Sequence, residues 1–408
     1  MVIIAFLNGM QYNTGIRGVQ KHAAVSFKED RMTITIVCDV LGEENNGTTI
    51  AAMNLIRSLK SKGHNVRVLC ADQNRKHEKD YYIVPTLNLW PFNKYVEKVG
   101  VTLAKPDRHV IEQALDGADI VHIMIPFSLG NAALKIAKKD HLPVTAGFHC
   151  QAENITAYLG MERIDLISRF IYFLLYRIFY RKVDAIHYPS SFIRDIFESR
   201  IQKKTKGYVI SNGVNPYVMK REAKKISEWE ERIVILTTGR YSREKAQDVL
   251  LRAVHHSRHK EKIQLVLAGQ GVREMYYRML ARKLPNPPVF RFYTRQEIVD
   301  VLNSCDLYVH TANMELEGIA CLEAIKCGKL TIVSDSPLSA TRNFAIDQSC
   351  IFQHGKPKQL ARVIDYWIDH PNQKKEYEQK YLDSSYVFDQ DYCMDRMEKM
   401  FYEVVNAG

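Results

Sequence analysis

The chain reads as an α/β protein of two parallel-sheet, Rossmann-like domains, and three observations predict this. Short runs rich in Val and Ile alternate with stretches of helical periodicity through most of the 408 residues. A polar, charged segment, Lys220 to Arg232, interrupts the alternation once, and the pattern then begins again. The length is enough for two domains that each bury a core. Strands that alternate with helices are joined by crossovers, and crossovers build parallel sheets.

Each element has its own signal. Residues 1–31 open on a short apolar run, Met1 to Leu7, with no basic flank and no clear cleavage site, and are expected to be an extension outside the fold. Thr33 to Val40 is a β-branched strand, and a loop from Gly42 to Gly47 leads into a helix from Thr48 to Lys62. Ala51, Leu55, Ile56 and Leu59 recur at helical spacing, and Gly63 ends that helix. Further strands follow at Asn65 to Cys70, Asp119 to Met124, Pro143 to Phe148 and Ala185 to Tyr188. The charged segment is expected to link the domains, which gives 32–215 and 216–385 as their extents. The second series runs through Ile233 to Thr238, Ile263 to Leu267, Val289 to Phe292, Leu307 to His310 and Leu330 to Val333. Residues beyond about 358 have a helical pattern.

Composition narrows the function classes. A hydrophobic content of 46% and a charged content of 25% are those of a soluble globular chain. The net charge of +11 admits nucleic acid, an anionic membrane surface or a phosphorylated small ligand. No zinc-finger or aromatic-basic signature accompanies it, which favours the last two over nucleic acid. Eight cysteines are scattered without a C-x-x-C pair, several within apolar runs, as buried reduced thiols of a cytosolic protein would be. No run reaches the roughly 18 apolar residues of a membrane span.

The segment with most chemistry is Glu315-Leu-Glu-Gly-Ile-Ala-Cys-Leu-Glu323, with two acids on either side of Gly318 just before a helical run. Backbone N–H groups at a helix start favour phosphate. Ionised carboxylates accept hydrogen bonds from sugar hydroxyls. The alternative is an exposed acid and a second acid favoured by the helix macrodipole. Gly239-Arg240-Tyr-Ser-Arg-Glu-Lys245 follows a strand and offers a guanidinium fork and a compact ammonium, suited to a diphosphate or to a solvated basic turn. Ala268-Gly269-Gln270-Gly271 follows the next strand, where small residues permit close approach or a sharp turn. In the first half, Gly47 stands at a helix start, His149 follows a strand, and Asn212-Gly213 is a turn dipeptide. A lone histidine is more often structural than functional, so both readings of His149 stay open.

Together these segments resemble the retaining glycosyltransferases of family 4, which have the GT-B architecture of two Rossmann-like domains facing a cleft. The resemblance implies that Glu323 holds the ribose hydroxyls of a nucleotide sugar and that Glu315 lies by the transferred hexose. The backbone of Gly318, Ile319 and Ala320 would cap the phosphates, and Arg240 and Lys245 would neutralise the diphosphate leaving group. Gly47 and Gly269 would lie against the donor, His149 near the reacting centre, and the neighbourhood of Tyr293 near the base. Glu317 is an additional acid within the motif. The resemblance further implies a terminal helix, 386–408, crossing back to the first domain, closure of the domains over the donor, and no bound metal or cofactor.

Two features bear on the acceptor. The run Ile164 to Lys182 is apolar and aromatic and carries Arg169, Arg177, Arg181 and Lys182, the composition of an interfacial helix. Its arginines share an arc with Phe170, Phe173 and Tyr180, so a helix packed on the sheet is the competing reading. The stretches Ser334 to Asp347 and Gly147 to Thr156 look like bacterial glucosyltransferases that act on diacylglycerol-type lipids. The expectation is transfer of a hexose, glucose from UDP-glucose, to a membrane glycerolipid by a cytoplasmic enzyme peripheral on the inner face of the cell membrane. Alternatives are an acceptor in surface polysaccharide, teichoic acid or lipid-linked oligosaccharide synthesis, and a nucleotide-sugar epimerase that needs no acceptor.

Overall fold

The computed structural model describes residues 31–41, 47–87, 104–153, 165–225 and 227–407. All but the last residue of the expected extension, the loop at 42–46 and the stretch 154–164 lie outside the described residues. The chain divides into two compact units, which among the described residues hold 31–212 with 390–407, and 213–389.

The N-terminal unit is built on β1 (Thr33–Cys38), α1 (Gly47–Ser61), β2 (Asn65–Cys70), β3 (Tyr81–Ile83), α2 (Arg108–Leu115), β4 (Ile120–Ile123), α3 (Ser128–Lys139), β5 (Val144–Gly147), α4 (Asp165–Ile178), β6 (Ala185–Tyr188), α5 (Ser191–Ile201) and β7 (Gly207–Val209). Its strands pair in parallel in the order β3-β2-β1-β4-β5-β6-β7. The outer strands β3 and β7 were not foreseen, because three residues are too few to carry a periodic signal. Helix starts are tied to strand ends. The Asp39 carboxylate, just past β1, accepts from the backbone N–H groups of Leu129 and Gly130 at 3.0 and 3.1 Å and so caps α3. Burial pushes that carboxyl up to about 6, against those same hydrogen bonds.

The C-terminal unit comprises β8 (Ile233–Thr238), α6 (Gln247–His256), β9 (Ile263–Ala268), α7 (Glu274–Ala281), β10 (Val289–Arg291), α8 (Arg295–Ser304), β11 (Leu307–His310), β12 (Met314–Glu315), α9 (Ile319–Lys326), β13 (Thr331–Ser334), β14 (Leu338–Ser339), β15 (Ile351–Phe352), α10 (Pro357–Asp369) and α11 (Pro371–Ser384). Its main sheet has the order β10-β9-β8-β11-β13-β15, and β12 and β14 form a separate two-stranded ladder.

The segment expected to link the domains is instead part of this unit. Val218 and Trp229 are buried in its core. Between them the Arg221 backbone N–H donates to Asn303 Oδ1 at 2.9 Å, and Lys225 pairs with Asp306 at 2.6 Å. Polar residues dominate the composition there, but two apolar anchors and these bonds fasten the run to the domain.

The last helix, α12 (Gln390–Val405), belongs to the N-terminal unit. Met394, Met397, Met400 and Phe401 join the core that contains Ile34 and Leu55. Glu398, on the same helix, meets His64 Nε2 at 2.6 Å and Lys62. All eight cysteines are free, and seven of them are buried.

Helix α4 has two faces. Ser168 and Tyr172 are buried, and the Tyr172 hydroxyl donates to Glu153 at 2.6 Å. Leu166, Phe170, Phe173, Leu174 and Ile178 are exposed, and so are Arg169 and Arg177. Tyr180 lies beyond the helix in a short turn and is buried. The helix therefore packs on the domain along one stripe and presents a second apolar and basic stripe to solvent. Among the described residues no helix is long and apolar enough to cross a membrane.

Candidate functional site

In a parallel sheet the crevice outside the carboxyl ends of the strands is the natural ligand site, at the point where strand order reverses. In the C-terminal unit that point lies between β8 and β11, which are neighbours in the sheet. The loop after β8 carries Arg240 and Lys245, and the residues after β11 carry Glu315. The topology thus brings the basic loop and the acidic motif to one edge.

Two glycine-containing loops form the floor of this edge by lying backbone to backbone. The Gly239 N–H donates to Ala268 O at 3.0 Å and the Tyr241 N–H to Gln270 O at 2.9 Å. Gly239 has φ +142, a conformation that favours glycine. A Cβ at Gly269 would stand 2.0 Å from the Gly239 carbonyl oxygen. The glycine at 269 is therefore required by the neighbouring loop itself.

Lys245 Nζ forms an ion pair with Glu315 Oε1. His310, the last residue of β11, meets the same oxygen through Nε2 at 3.0 Å. Behind it, His310 Nδ1 lies 3.3 Å from the Tyr308 hydroxyl, which in turn lies 2.8 Å from Thr238 Oγ1. Burial alone would raise the Glu315 carboxyl. The Lys245 charge and the His310 hydrogen bond outweigh it and hold the group down at about 2. Glu315 is ionised at any working pH, so it is a pure acceptor, and His310 must present its Nε2–H to it. His310, Tyr308 and Thr238 carried no motif, and their only sequence signal was a histidine at a strand end five residues before Glu315.

Around this pair the other expected residues fall as follows. Arg240 is 51% exposed and lies 3.6 Å from Glu244, apart from the Lys245–Glu315 pair. Glu315 sits in β12, whose partner strand β14 supplies Ser339 in register with it. Gly318 precedes α9 with φ +91, and a Cβ there would stand 2.4 Å from Thr341 Cγ2. Both conformation and space require glycine. Ile319 and Ala320 open α9, where the first backbone N–H groups have no acceptor within the helix. Glu323 lies one turn on, half-buried, and burial pushes its carboxyl up to about 7 although Arg295 opposes the shift. Glu317 is buried. Tyr293 is stacked by the Arg291 guanidinium at 4.8 Å.

In the N-terminal unit, His149 follows β5. Its ring stands edge-on to His187 with centroids 5.6 Å apart, and a Cβ at Gly147 would stand 2.6 Å from it. Burial, and then His187, push His149 down to about 3, so it acts as a neutral imidazole. Gly47 begins α1, with open space where a Cβ would be. Among the described residues no group of three or more His, Cys, Asp or Glu could hold a metal ion.

The pattern of the family Glycosyltransferase Family 4 matches residues 45–217, and that of Glycosyl transferases group 1 matches residues 219–381. Together the two span most of both units. The chain is a glycosyltransferase of the GT-B superfamily. It is 23% identical to the alpha-monoglucosyldiacylglycerol synthase of Streptococcus pneumoniae over 75% of this chain and 72% of that protein. Its fold is similar to that of HepE from Anabaena, solved with UDP-glucose, at a TM-score of 0.69 and 16% identity, covering 91% of this chain and 100% of that one. Over 38% of its length it is 41% identical to the catalytic domain of the cholesterol-alpha-glucosyltransferase of Helicobacter pylori, covering 96% of that domain at a TM-score of 0.37.

In this glycosyltransferase Gly318 and Gly47 differ in the space they leave for a side chain. Gly318→Ala should destabilise the protein by more than about 1 kcal/mol, from a strained φ and a side-chain clash. Gly47→Ala, at an open helix start, should leave stability equal or raise it by up to about 1 kcal/mol. Thermal denaturation of both variants measures this contrast, and equal losses would contradict the backbone account.

Proposed function

We propose that this enzyme is a retaining glycosyltransferase that moves glucose from UDP-glucose to the hydroxyl of a membrane glycerolipid such as diacylglycerol. The observation that carries the acceptor half is the exposed stripe of α4. Leu166 and Phe170 are 75% and 63% exposed in one row with Arg169 and Arg177. Apolar side chains enter the headgroup boundary of a bilayer while arginines meet its anionic lipids, which seats a peripheral enzyme on the cytoplasmic face. An epimerase with soluble substrates has no use for such a face. The likeness to a protein named as a diacylglycerol glycosyl synthase points to the same class of acceptor.

For the donor half, Lys245 and Arg240 neutralise the diphosphate, with the N–H groups of Ile319 and Ala320 at the start of α9. Glu323 accepts from the ribose hydroxyls and Glu315 from the hexose. Gly47 and Gly269 line the donor, and His149 contributes a neutral hydrogen-bonding group beside the hexose. The bond between the anomeric carbon and the diphosphate oxygen breaks, and the lipid hydroxyl oxygen attacks from the same face. Its proton passes to the departing diphosphate, whose charge Lys245 and Arg240 stabilise. The chain's own cations supply the charge that the leaving group requires, with no metal or cofactor assigned.

A panel of nucleotide sugars offered with diacylglycerol and with saccharide acceptors, read by mass spectrometry, should yield a glucosyl lipid from UDP-glucose. Lys245→Ala and Arg240→Ala should abolish that product with the fold retained. Product on saccharides alone would replace the lipid acceptor, and full activity in both variants would sink the donor site. Because Glu323 titrates near 7 and accepts best when ionised, UDP-glucose affinity should rise from about pH 6 to about pH 8. Glu323→Gln should flatten that rise in calorimetric titrations. Vesicles containing anionic lipid should sediment the protein, less so at high salt, and Phe170→Asp should release it. Equal binding to neutral vesicles would remove the electrostatic part of the argument.

A further inference from the structure

His310 has no assigned part in the reaction, yet its place at Glu315 is unusually well determined. It ends β11, one of the two strands at the switch point, and its side chain is 2% exposed. Tyr308 and Thr238, both buried, hold the ring from behind through Nδ1. Burial pushes the Tyr308 phenol well up, so it remains a neutral donor. Glu315 is ionised and can only accept, so the Nε2 that faces it carries a proton.

Two donors, Lys245 and His310, thus converge on one oxygen of a carboxylate whose side chain is only 13% exposed. The proposed reaction asks Lys245 to leave that oxygen for the donor's diphosphate. An ionised carboxylate stripped of its partners in such a place is costly and will move or take up a proton. A histidine at the end of β11, 2% exposed and held through its ring, cannot follow the lysine, whose ammonium rides on a flexible stem.

We propose that His310 is a positioning residue that retains Glu315 against the hexose site when the donor diphosphate draws Lys245 out of their ion pair. Glu315 is then a stand-in for the diphosphate on Lys245 in the free enzyme, and an acceptor for a sugar hydroxyl in the loaded one. The exchange is of partners only, with no covalent change and no proton lost. It rests on the donor-site reading given above and adds the order in which the charges re-pair.

The experiment compares His310→Gln, which keeps an N–H donor, with His310→Leu, which keeps none, and with Glu315→Gln. UDP binding is read by calorimetry, transfer from UDP-glucose to diacylglycerol by kinetics, and folding by thermal melting. His310→Leu should lose at least about tenfold in kcat, the loss expected for a hydrogen bond to a charged group. UDP affinity should stay within about threefold, since UDP carries no hexose, and His310→Gln should recover most of kcat. Glu315→Gln should bind UDP several times more tightly than the unmodified enzyme, because the anion competing for Lys245 is gone. Equal kcat losses in the Gln and Leu variants, or UDP affinity falling in step with kcat, would mark His310 as merely structural and overturn the proposal. If the unmodified enzyme binds UDP yet glucosylates no lipid, the acceptor reading fails by itself. The UDP titration still decides this proposal: tighter binding in Glu315→Gln supports the exchange, and unchanged or weaker binding overturns it.

Discussion

The charge on Glu315 constrains more of the C-terminal unit than any other group. A carboxylate held near 2 inside a crevice needs cations and donors that arrive from separate elements. Lys245 comes from the loop after β8 and His310 from the end of β11. Those strands are adjacent only because the sheet order reverses there. The ladder of β12 with β14 then fixes the backbone on which Glu315 rides. The crevice is therefore electrostatically organised before any ligand enters it, and this preorganisation is what a charged transition state exploits.

The two motif acids are driven in opposite directions by their surroundings. Glu315 has a lysine and a histidine within reach and stays ionised. Glu323 has burial without a comparable partner, and Arg295 only moderates the upward push to about 7. Carboxylates whose environments separate their pKa values take separate tasks. A permanently ionised group suits a fixed contact, whereas one that titrates near neutrality makes ligand affinity sensitive to pH. Spacing in the sequence says nothing of this division, because it arises from what packs against each acid.

Much of the fold was legible because parallel strands buried on both faces are written in continuous Val and Ile. Thr33–Cys38, Ile233–Thr238 and Ile263–Ala268 come near that kind, whereas Asn65–Cys70 alternates at its start and is continuously buried only from Val68. The strands β3 and β7 escaped notice because three residues show no period. Polarity in Lys220 to Arg232 suggests a linker, while Val218 and Trp229 carry its packing in the C-terminal unit. In the site, Gly318 and the paired acids were readable from type and spacing. Gly269 was read toward a ligand, yet the atom its missing Cβ avoids is the Gly239 carbonyl oxygen, a contact between loops about thirty residues apart in the chain. His310 was unreadable for a related reason: its importance lies in a through-space partner, and a strand-end histidine has no local signature.

The same reasoning applies to α4, whose buried stripe answers the packing reading and whose outer stripe packing does not explain. A helix that covers a sheet must bury one stripe, and Tyr172 with its bond to Glu153 does so here. Nothing in that requirement calls for leucine, phenylalanine and isoleucine on the outer stripe, where water makes them unfavourable. Packing alone would be served equally well by lysine and glutamate at 166, 170, 173, 174 and 178. Apolar residues in those positions cost solubility without adding to the core. Arginines interleaved at 169 and 177 give the stripe the composition that the proposed seat at anionic headgroups requires. The outer stripe of α4 is thus the feature of the N-terminal unit that packing alone does not account for, and the proposed lipid acceptor supplies a reason for it.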